Sequence, residues 1–232
     1  MMKLKSIIIV NIILMILMAA AGMYCKSFYQ DYNSEDVPLK NFVTGVMSEG
    51  LLDVQLERYD SELASSNYII AVQCQEKSFF RHSCTTQKVK IEHVFKGNDL
   101  REGDIVEIAK YDSEIFNSEE MKINGMNCMN MGFVNEMIPG YTYLIFLDKK
   151  INTHNEKSAI YVTKDFIMSP IFCYNKIKNK PCNIIDENSC SSWYGDIKNN
   201  EFFLISENAI QKMEEYREKL INEYTYSTSN DN

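Results

Sequence analysis

The sequence predicts a mainly β protein, a small β-barrel with a C-terminal amphipathic helix and an N-terminal membrane segment. Three observations support this prediction. The chain begins with an apolar run, its middle holds several short strand patterns, and its end carries one helical stripe. The expected order is a cytoplasmic start (1–5), a transmembrane anchor or signal peptide (6–23), a tether with a short helix (24–64), the barrel (65–206), the C-terminal helix (207–226) and a disordered tail (227–232).

The N-terminal segment indicates the compartment. Lys3 and Lys5 precede the apolar run, which is just long enough to span a hydrocarbon core. Small residues at 19–21 also suit a signal-peptide cleavage site, so an uncleaved anchor and a cleaved signal both fit. Both leave the rest of the chain outside, because the lysines hold the N-terminus in the cytoplasm. We expect a single-pass cell-membrane protein with its C-terminus outside, or a secreted one. Tyr24 is too bulky to precede a lipid-modified Cys25.

The charge balance argues against one class of partner. The 232 residues carry a net charge of -8, and no basic cluster stands out. Nucleic-acid binding needs clustered Lys and Arg to neutralise phosphates, so we expect no nucleic-acid partner. No P-loop or dinucleotide fingerprint occurs, so we expect no cofactor.

The cysteines suit an exported protein. When Cys25 is set aside, an even set remains, which predicts disulfides in an oxidising compartment. The candidates are Cys74, Cys84, Cys128, Cys173, Cys182 and Cys190. Cys74 with Cys84 would staple two strands, and Cys182 with Cys190 would close a loop, which leaves Cys128 with Cys173. A metal site at His82 and Cys84 is the alternative, but structural zinc usually shows paired C-x2-4-C motifs, and none occurs.

Strand patterns fill the middle of the chain. Apolar and polar residues alternate in "KVKIEHVF" and "DIVEI", so we expect these runs to be half-buried neighbouring strands. Both faces become apolar at His93–Val94, which indicates a β-bulge. The residues expected to point inward are Val89, Ile91, Val106 and Ile108. The strands are expected at 67–74, 87–95, 104–111, 141–150, 158–168 and 200–206.

The run at 141–150 is apolar on both faces, so another element must cover it. The tail is the candidate, because Ile210, Met213 and Leu220 share a helical stripe. Ser206 is expected to cap this helix. The stretch at 112–140 is rich in Met, which we expect to fill gaps in the core, with an adaptable binding surface as the alternative.

Five or so short strands and a terminal helix fit a small barrel of the OB type. The runs "SNYIIAVQC", "KVKIEHVFKG", "LREGDIVEI" and "PGYTYLIFLDKK" also resemble the netrin-module and tissue-inhibitor-of-metalloproteinase superfamily, in particular its bacterial members. The resemblance covers residues 65–150. It implies an OB-like barrel with disulfide-linked termini and a binding role without catalysis. The animal inhibitors present a free N-terminal Cys to a catalytic zinc. The first Cys here, Cys25, adjoins the apolar segment, so we do not expect metalloprotease inhibition.

No catalytic motif identifies the chain as an enzyme. We expect a non-catalytic binding module with an extracytoplasmic protein partner, held at the membrane by its N-terminal segment, with no catalytic or metal-binding residue. Trp193 and Tyr194 are the candidate binding residues, although the pair would equally suit a plug at the barrel end. One alternative is an extracytoplasmic hydrolase or thiol enzyme that uses His82, Cys84 or the acidic loop at 112–120. The other is a purely structural envelope protein.

Overall fold

The computed structural model describes residues 2–27, 33, 39–81, 84–110, 114–116, 126–151, 159–185 and 190–226. The chain divides into two compact units, Met1–Val37 and Pro38–Asn232. The first unit contains one long helix. The second, called the body below, contains all the strands that the structure describes.

Helix α1 runs from Met2 to Ser27, and every residue from Ile7 to Lys26 is exposed. This stretch has 20 residues and a mean hydropathy of 2.5, so it is long and apolar enough to cross a membrane. A signal sequence near the N-terminus meets the same two criteria. The helix therefore fits both a membrane anchor and a signal peptide, and it does not distinguish between these two predictions.

In its described residues, the body combines short strands with three helices. The helices are α2 (Glu49–Glu62), α3 (Tyr194–Ile197) and α4 (Glu207–Glu223), with 3-10 turns at Leu39–Asn41 and Leu63–Ser65. The strands are β1 (Val43–Gly45), β2 (Tyr68–Cys74), β3 (Phe79–Phe80), β4 (Thr85–Lys96), β5 (Ile105–Ala109), β6 (Glu114–Phe116), β7 (Cys128–Asn130), β8 (Thr142–Ile151), β9 (Ile160–Thr163), β10 (Ile171–Cys173) and β11 (Ser191–Trp193).

Five of these strands close into a barrel. The order around it is β2, β4, β5, β9, β8 and back to β2. The pair β5–β9 is parallel, and the other pairs are antiparallel. β8 returns to lie beside β2 after the run β2–β4–β5, which is a Greek-key connection. The prediction of a β-barrel is therefore confirmed.

The predicted hairpin forms at residues 85–109. β4 and β5 pair antiparallel, with Val89 opposite Val106. All four side chains that the sequence places inside are buried. The register of β4 against β2 shifts on both sides of the pairs Ala71–His93 and Ile70–Val94. The predicted irregularity at His93–Val94 is therefore confirmed, and a bulge there strengthens the local twist.

Both faces of β8 are covered, as predicted. Residues 143–147 are all buried. The ring of Phe146 lies 5.5 Å from that of Tyr224, the residue directly after α4. The predicted cap is also present, because the Ser206 hydroxyl accepts the N–H of Ala209 at 3.1 Å. The apolar stripe of α4 is buried in the same core as β8.

Helix α2 differs from its predicted place in a tether. It packs beside α4. Three polar contacts each join residues that are 159 positions apart in sequence: Glu49 with Asn208, Asp53 with Lys212 and Asp60 with Lys219. Because this separation stays constant along both helices, the two helices run in the same direction. The Tyr59 hydroxyl donates to the main-chain oxygen of Met168 at 2.6 Å. Residues 39–64 thus belong to the body, because a few large side chains such as Tyr59 and Leu52 are fully buried there.

A second sheet, in the order β11–β1–β7–β6, lies outside the barrel ring. Each of its strands has three residues. A strand of this length is too short to show a recognisable alternation of apolar and polar residues in the sequence. The predicted strand at 200–206 is corrected. There, Phe202 and Leu204 form isolated bridges with Val134 and Met47 instead of a regular strand. The predicted tail at 227–232 lies outside the described residues.

Candidate functional site

The candidate site is an open groove beside Trp193. This residue ends β11, where it pairs with Val43 of β1, and it is also the N-cap residue of α3. Its side chain is half-buried. The groove encloses about 450 Å³ and is lined by Lys40, Asn41, Trp193, Gly195, Asp196 and Lys198. We call it the Trp193 groove.

Close backbone packing shapes the floor of this groove. The N–H of Tyr194 donates to the main-chain oxygen of Phe42 at 2.9 Å. At Gly195, an added Cβ would lie 2.9 Å from the main-chain oxygen of Lys40. Any side chain at this position would push α3 away from the turn at 39–41. The groove therefore depends on a glycine here.

Tyr194 packs beneath the groove and does not line it. Its ring makes an edge contact with Phe203 at 6.3 Å, and its hydroxyl donates to Oδ1 of Asn135 at 3.0 Å. Burial raises the pKa of the Tyr194 hydroxyl, with the nearby Glu136 carboxylate adding to the shift. The hydroxyl therefore stays protonated and acts as a fixed hydrogen-bond donor.

Asn135 joins the groove to the rest of the body. Its side-chain Nδ2 donates to the main-chain oxygens of Lys198 and Asn200, each at 2.7 Å. Its Oδ1 accepts the hydroxyl of Tyr194. One amide side chain thus holds both ends of the segment that carries α3. If the Asn135 side chain were removed, its buried partners would lose their hydrogen bonds, and the protein would bear the full cost of their desolvation.

Lys110, directly after β5, anchors Asn135 in turn. Its buried ammonium group donates to the main-chain oxygens of Val134 at 2.6 Å and Asn135 at 2.7 Å. Burial lowers the pKa of Lys110 to about 8, and the Glu136 carboxylate opposes that shift. Burial raises the pKa of Glu136, while Lys110 lowers it. At pH 7 Lys110 keeps its proton and holds the loop after β7.

The structure gives the two predicted binding residues different positions. Trp193 lines the groove, whereas Tyr194 belongs to the packing below it. The sequence did not point to Lys40, Asn135 or Lys198. These residues come from distant segments that share no motif, so no local signal could have grouped them.

A smaller cavity of about 200 Å³ lies beside β3, β4 and β5. Four of its five charged side chains form ion pairs, and the fifth is Lys77. Arg81 contacts Glu107 at 2.8 Å, and Lys88 contacts Glu76 at 3.2 Å. The Arg81 guanidinium also lies 5.7 Å from the centre of the Phe79 ring. Because most of its charges pair internally, this cavity is a weaker candidate than the Trp193 groove.

The residues considered for catalysis fall mostly outside the described ranges. His82, Asp112, Glu119 and Glu120 lie there, and the structure describes only the backbone of Glu114. Cys84 is described and half-buried. His93 lies at the surface, where its Nδ1 is 2.6 Å from Oε1 of Glu102.

The predicted disulfides are not seen in the structure. No disulfide forms among the cysteines of the described ranges. Cys74, Cys173 and Cys182 have separate partners: the thiol of Cys74 donates to the oxygen of Glu76, that of Cys173 to the oxygen of Thr142, and Cys182 accepts from Asn200. Burial raises the pKa of Cys74 and of Cys182 to about 11. It raises that of Cys173 to about 12, with Glu201 adding to the shift.

Within the described part of the chain, no three His, Cys, Asp or Glu residues come together in a way that could hold a metal ion. The chain matches no protein-family model and no curated protein.

Proposed function

We propose that this chain is a non-catalytic protein-interaction module that works outside the cytoplasm, either tethered to the membrane or secreted. The Trp193 groove is its contact surface. The observation that carries the proposal is a half-buried indole lining an open groove whose walls are held by fixed hydrogen bonds. Trp is the residue most enriched at the energetic centres of protein interfaces, because it offers a large, rigid contact area.

The frame of the groove is pre-organised for binding. Lys110, Asn135 and Tyr194 form one bonded chain from the barrel to the segment below Trp193. A partner that meets a rigid surface loses less conformational entropy on binding than one that must order it. This arrangement therefore favours recognition by a pre-formed surface.

We further propose that the barrel is of the OB type and is related to the netrin-module and tissue-inhibitor-of-metalloproteinase superfamily. A five-stranded, Greek-key barrel supports this assignment. So does the agreement between the runs that carry the resemblance and four barrel strands, β2, β4, β5 and β8. OB-type barrels serve mainly as binding platforms.

The location outside the cytoplasm is supported by α1. An exposed apolar helix that follows Lys3 and Lys5 suits insertion with the N-terminus inside. The body would then stand on the far side of the membrane. Retention of α1 in the mature chain would leave the protein tethered, and its removal would release the protein.

Cross-linking capture tests the function. A tagged full-length chain is cross-linked in intact cells, and its partners are quantified by mass spectrometry. We expect Trp193→Ala to remove the main partner and Trp193→Phe to retain part of it, because Phe keeps a smaller aromatic surface. Ile167→Ala is the matched control, since it truncates an apolar side chain that is 44% exposed at another place.

Circular dichroism and thermal unfolding must show that each variant folds like the wild type. If a folded Trp193→Ala variant captures the same partners in the same amounts as the wild type, the groove is not the contact surface, and the proposal fails.

A further inference from the structure

Two exposed lysines, Lys40 and Lys198, line the Trp193 groove. Two more, Lys178 and Lys180, are exposed on a segment that hydrogen-bonds to Asn200, two residues after Lys198. We call these four residues the basic rim. Across the ranges that the structure describes, none of the four forms an ion pair, whereas other exposed lysines such as Lys212 do. The chain as a whole has a net charge of -8, so this surface reverses the sign of its surroundings.

Hydrogen bonds bring the two parts of the basic rim together. The Asn200 side chain accepts the N–H of Lys180 at 3.2 Å and donates to its main-chain oxygen at 2.7 Å. Oδ1 of Asn179 accepts the N–H groups of Glu201 and Phe202. The segment 178–180 therefore runs alongside 200–202, directly after Lys198.

The direction of the rim lysines follows from the same contacts. Asn179 is buried and points toward Glu201, while its neighbours Lys178 and Lys180 are exposed. Both lysine side chains therefore reach solvent. Among the described residues, two carboxylates lie close to the rim, Asp196 in the groove and Glu214, which accepts from Asn179 at 3.3 Å. In this described part of the surface, four ammonium groups therefore face two carboxylates.

We propose that the Trp193 groove binds an acidic segment of a partner protein, with an apolar side chain of that segment against the Trp193 ring and its carboxylates on the basic rim. This inference rests on the proposed function and specifies the chemistry of the partner. The groove is concave, which suits a peptide chain better than the flat surface of a bilayer. Complementary charge around an aromatic centre is the usual arrangement of a specific interface.

Trp193 itself supplies the probe, because the chain contains one Trp. Its emission, excited where Tyr does not absorb, reports only on the groove. The full-length chain in phosphatidylcholine vesicles, which contain no other Trp, is titrated with a decapeptide of Glu and Leu. The matched control peptide carries Gln in place of Glu.

We expect a saturable blue shift of Trp193 emission with the acidic peptide and none with the Gln peptide. The double variant Lys40→Gln/Lys198→Gln should bind about fivefold more weakly, since each exposed pair contributes modestly. Raising the salt concentration should weaken binding in the wild type more than in the variant. The control Lys212→Gln removes an exposed lysine of α4 and should leave the affinity unchanged.

Three results would overturn the inference. One is no emission change up to about 1 mM acidic peptide. Another is an equal response to both peptides, which would mean that charge is not recognised. The third is a blue shift produced by phosphatidylglycerol vesicles alone, without any response to peptide, which would assign the rim to anionic lipid.

The capture experiment separates this inference from the proposed function. If Trp193→Ala abolishes capture while Lys40→Gln/Lys198→Gln retains it, the groove binds a protein but not an acidic one. If neither variant changes capture, the function itself is wrong.

Discussion

The ammonium group of Lys110, at the end of β5, lies 2.7 Å from the main-chain oxygen of Asn135. The side chain of Asn135 in turn bonds Tyr194 and the main chain of Lys198. The barrel and the Trp193 groove are therefore joined through one buried cation and one amide. A change inside the barrel can for this reason alter the groove without touching it.

Replacing Lys110 with Met should destabilise the body and weaken capture of the partner. Two main-chain oxygens would lose their donor, which costs about 1–3 kcal/mol in the free energy of unfolding measured with urea. Lys90→Met is the control, because Lys90 is partly exposed and contacts Glu92 at the surface. It should change that free energy by less than about 0.5 kcal/mol. An equal loss of unfolding free energy in the two variants would show that the Lys110 hydrogen bonds stabilise the body no more than a surface lysine does.

Glu201 should make the stability depend on pH. It lies 3.5 Å from Arg217, and both side chains are buried. Burial raises the pKa of Glu201 to about 7, although the N–H of Cys173 and the Arg217 guanidinium lower it. Between the ordinary carboxyl pKa and about 7, the folded state binds the extra proton, so stability falls as pH rises through this range.

Urea unfolding at pH 5 and pH 8 measures this effect. In Glu201→Gln the difference between the two pH values should shrink by an amount on the order of 2 kcal/mol, because Gln does not titrate. Glu62→Gln, at an exposed carboxylate of α2 that contacts Arg58, is the control. If Glu201→Gln keeps the full wild-type pH dependence, another group is responsible.

The buried thiols should resist alkylation. Cys74, Cys173 and Cys182 are buried with raised pKa values, and the thiolate is the reactive form. We expect iodoacetamide to leave these three unlabelled in the folded protein at pH 8 and to label them in denaturant without reductant. Peptide mass spectrometry identifies which cysteines carry the label. A residue that labels in denaturant only after reduction would be disulfide-bonded, contrary to the structure.

Gly132 should be far less replaceable than Gly140. Both have positive φ, 59° and 86°, but an added Cβ at Gly132 would collide with the Ser169 side chain, whereas the space at Gly140 is open. We expect Gly132→Ala to lower the free energy of unfolding by about 2–4 kcal/mol, and Gly140→Ala by about 1 kcal/mol. Thermal unfolding of the two variants checks the difference. Equal costs would mean that Ser169 moves aside freely.

Sequence alone determined the elements whose signals are local. The β4–β5 hairpin follows from alternation that puts Val89 and Val106 on one face, and α4 follows from its stripe and its Ser206 cap. The apolar composition of α1 needs no tertiary contact to be recognised. In each case neighbouring residues carry the whole pattern.

Only the tertiary structure decided the second sheet, the groove and the state of the cysteines. Strands of three residues carry no readable period, so the pairing of Val43 with Trp193 depends on packing between distant parts of the chain. That pairing brings Lys40 to Lys198 and creates the candidate site. Counting cysteines suggested disulfides, but burial gave Cys74, Cys173 and Cys182 separate partners. Local periodicity cannot encode such contacts, because their energy comes from surfaces that meet only after folding.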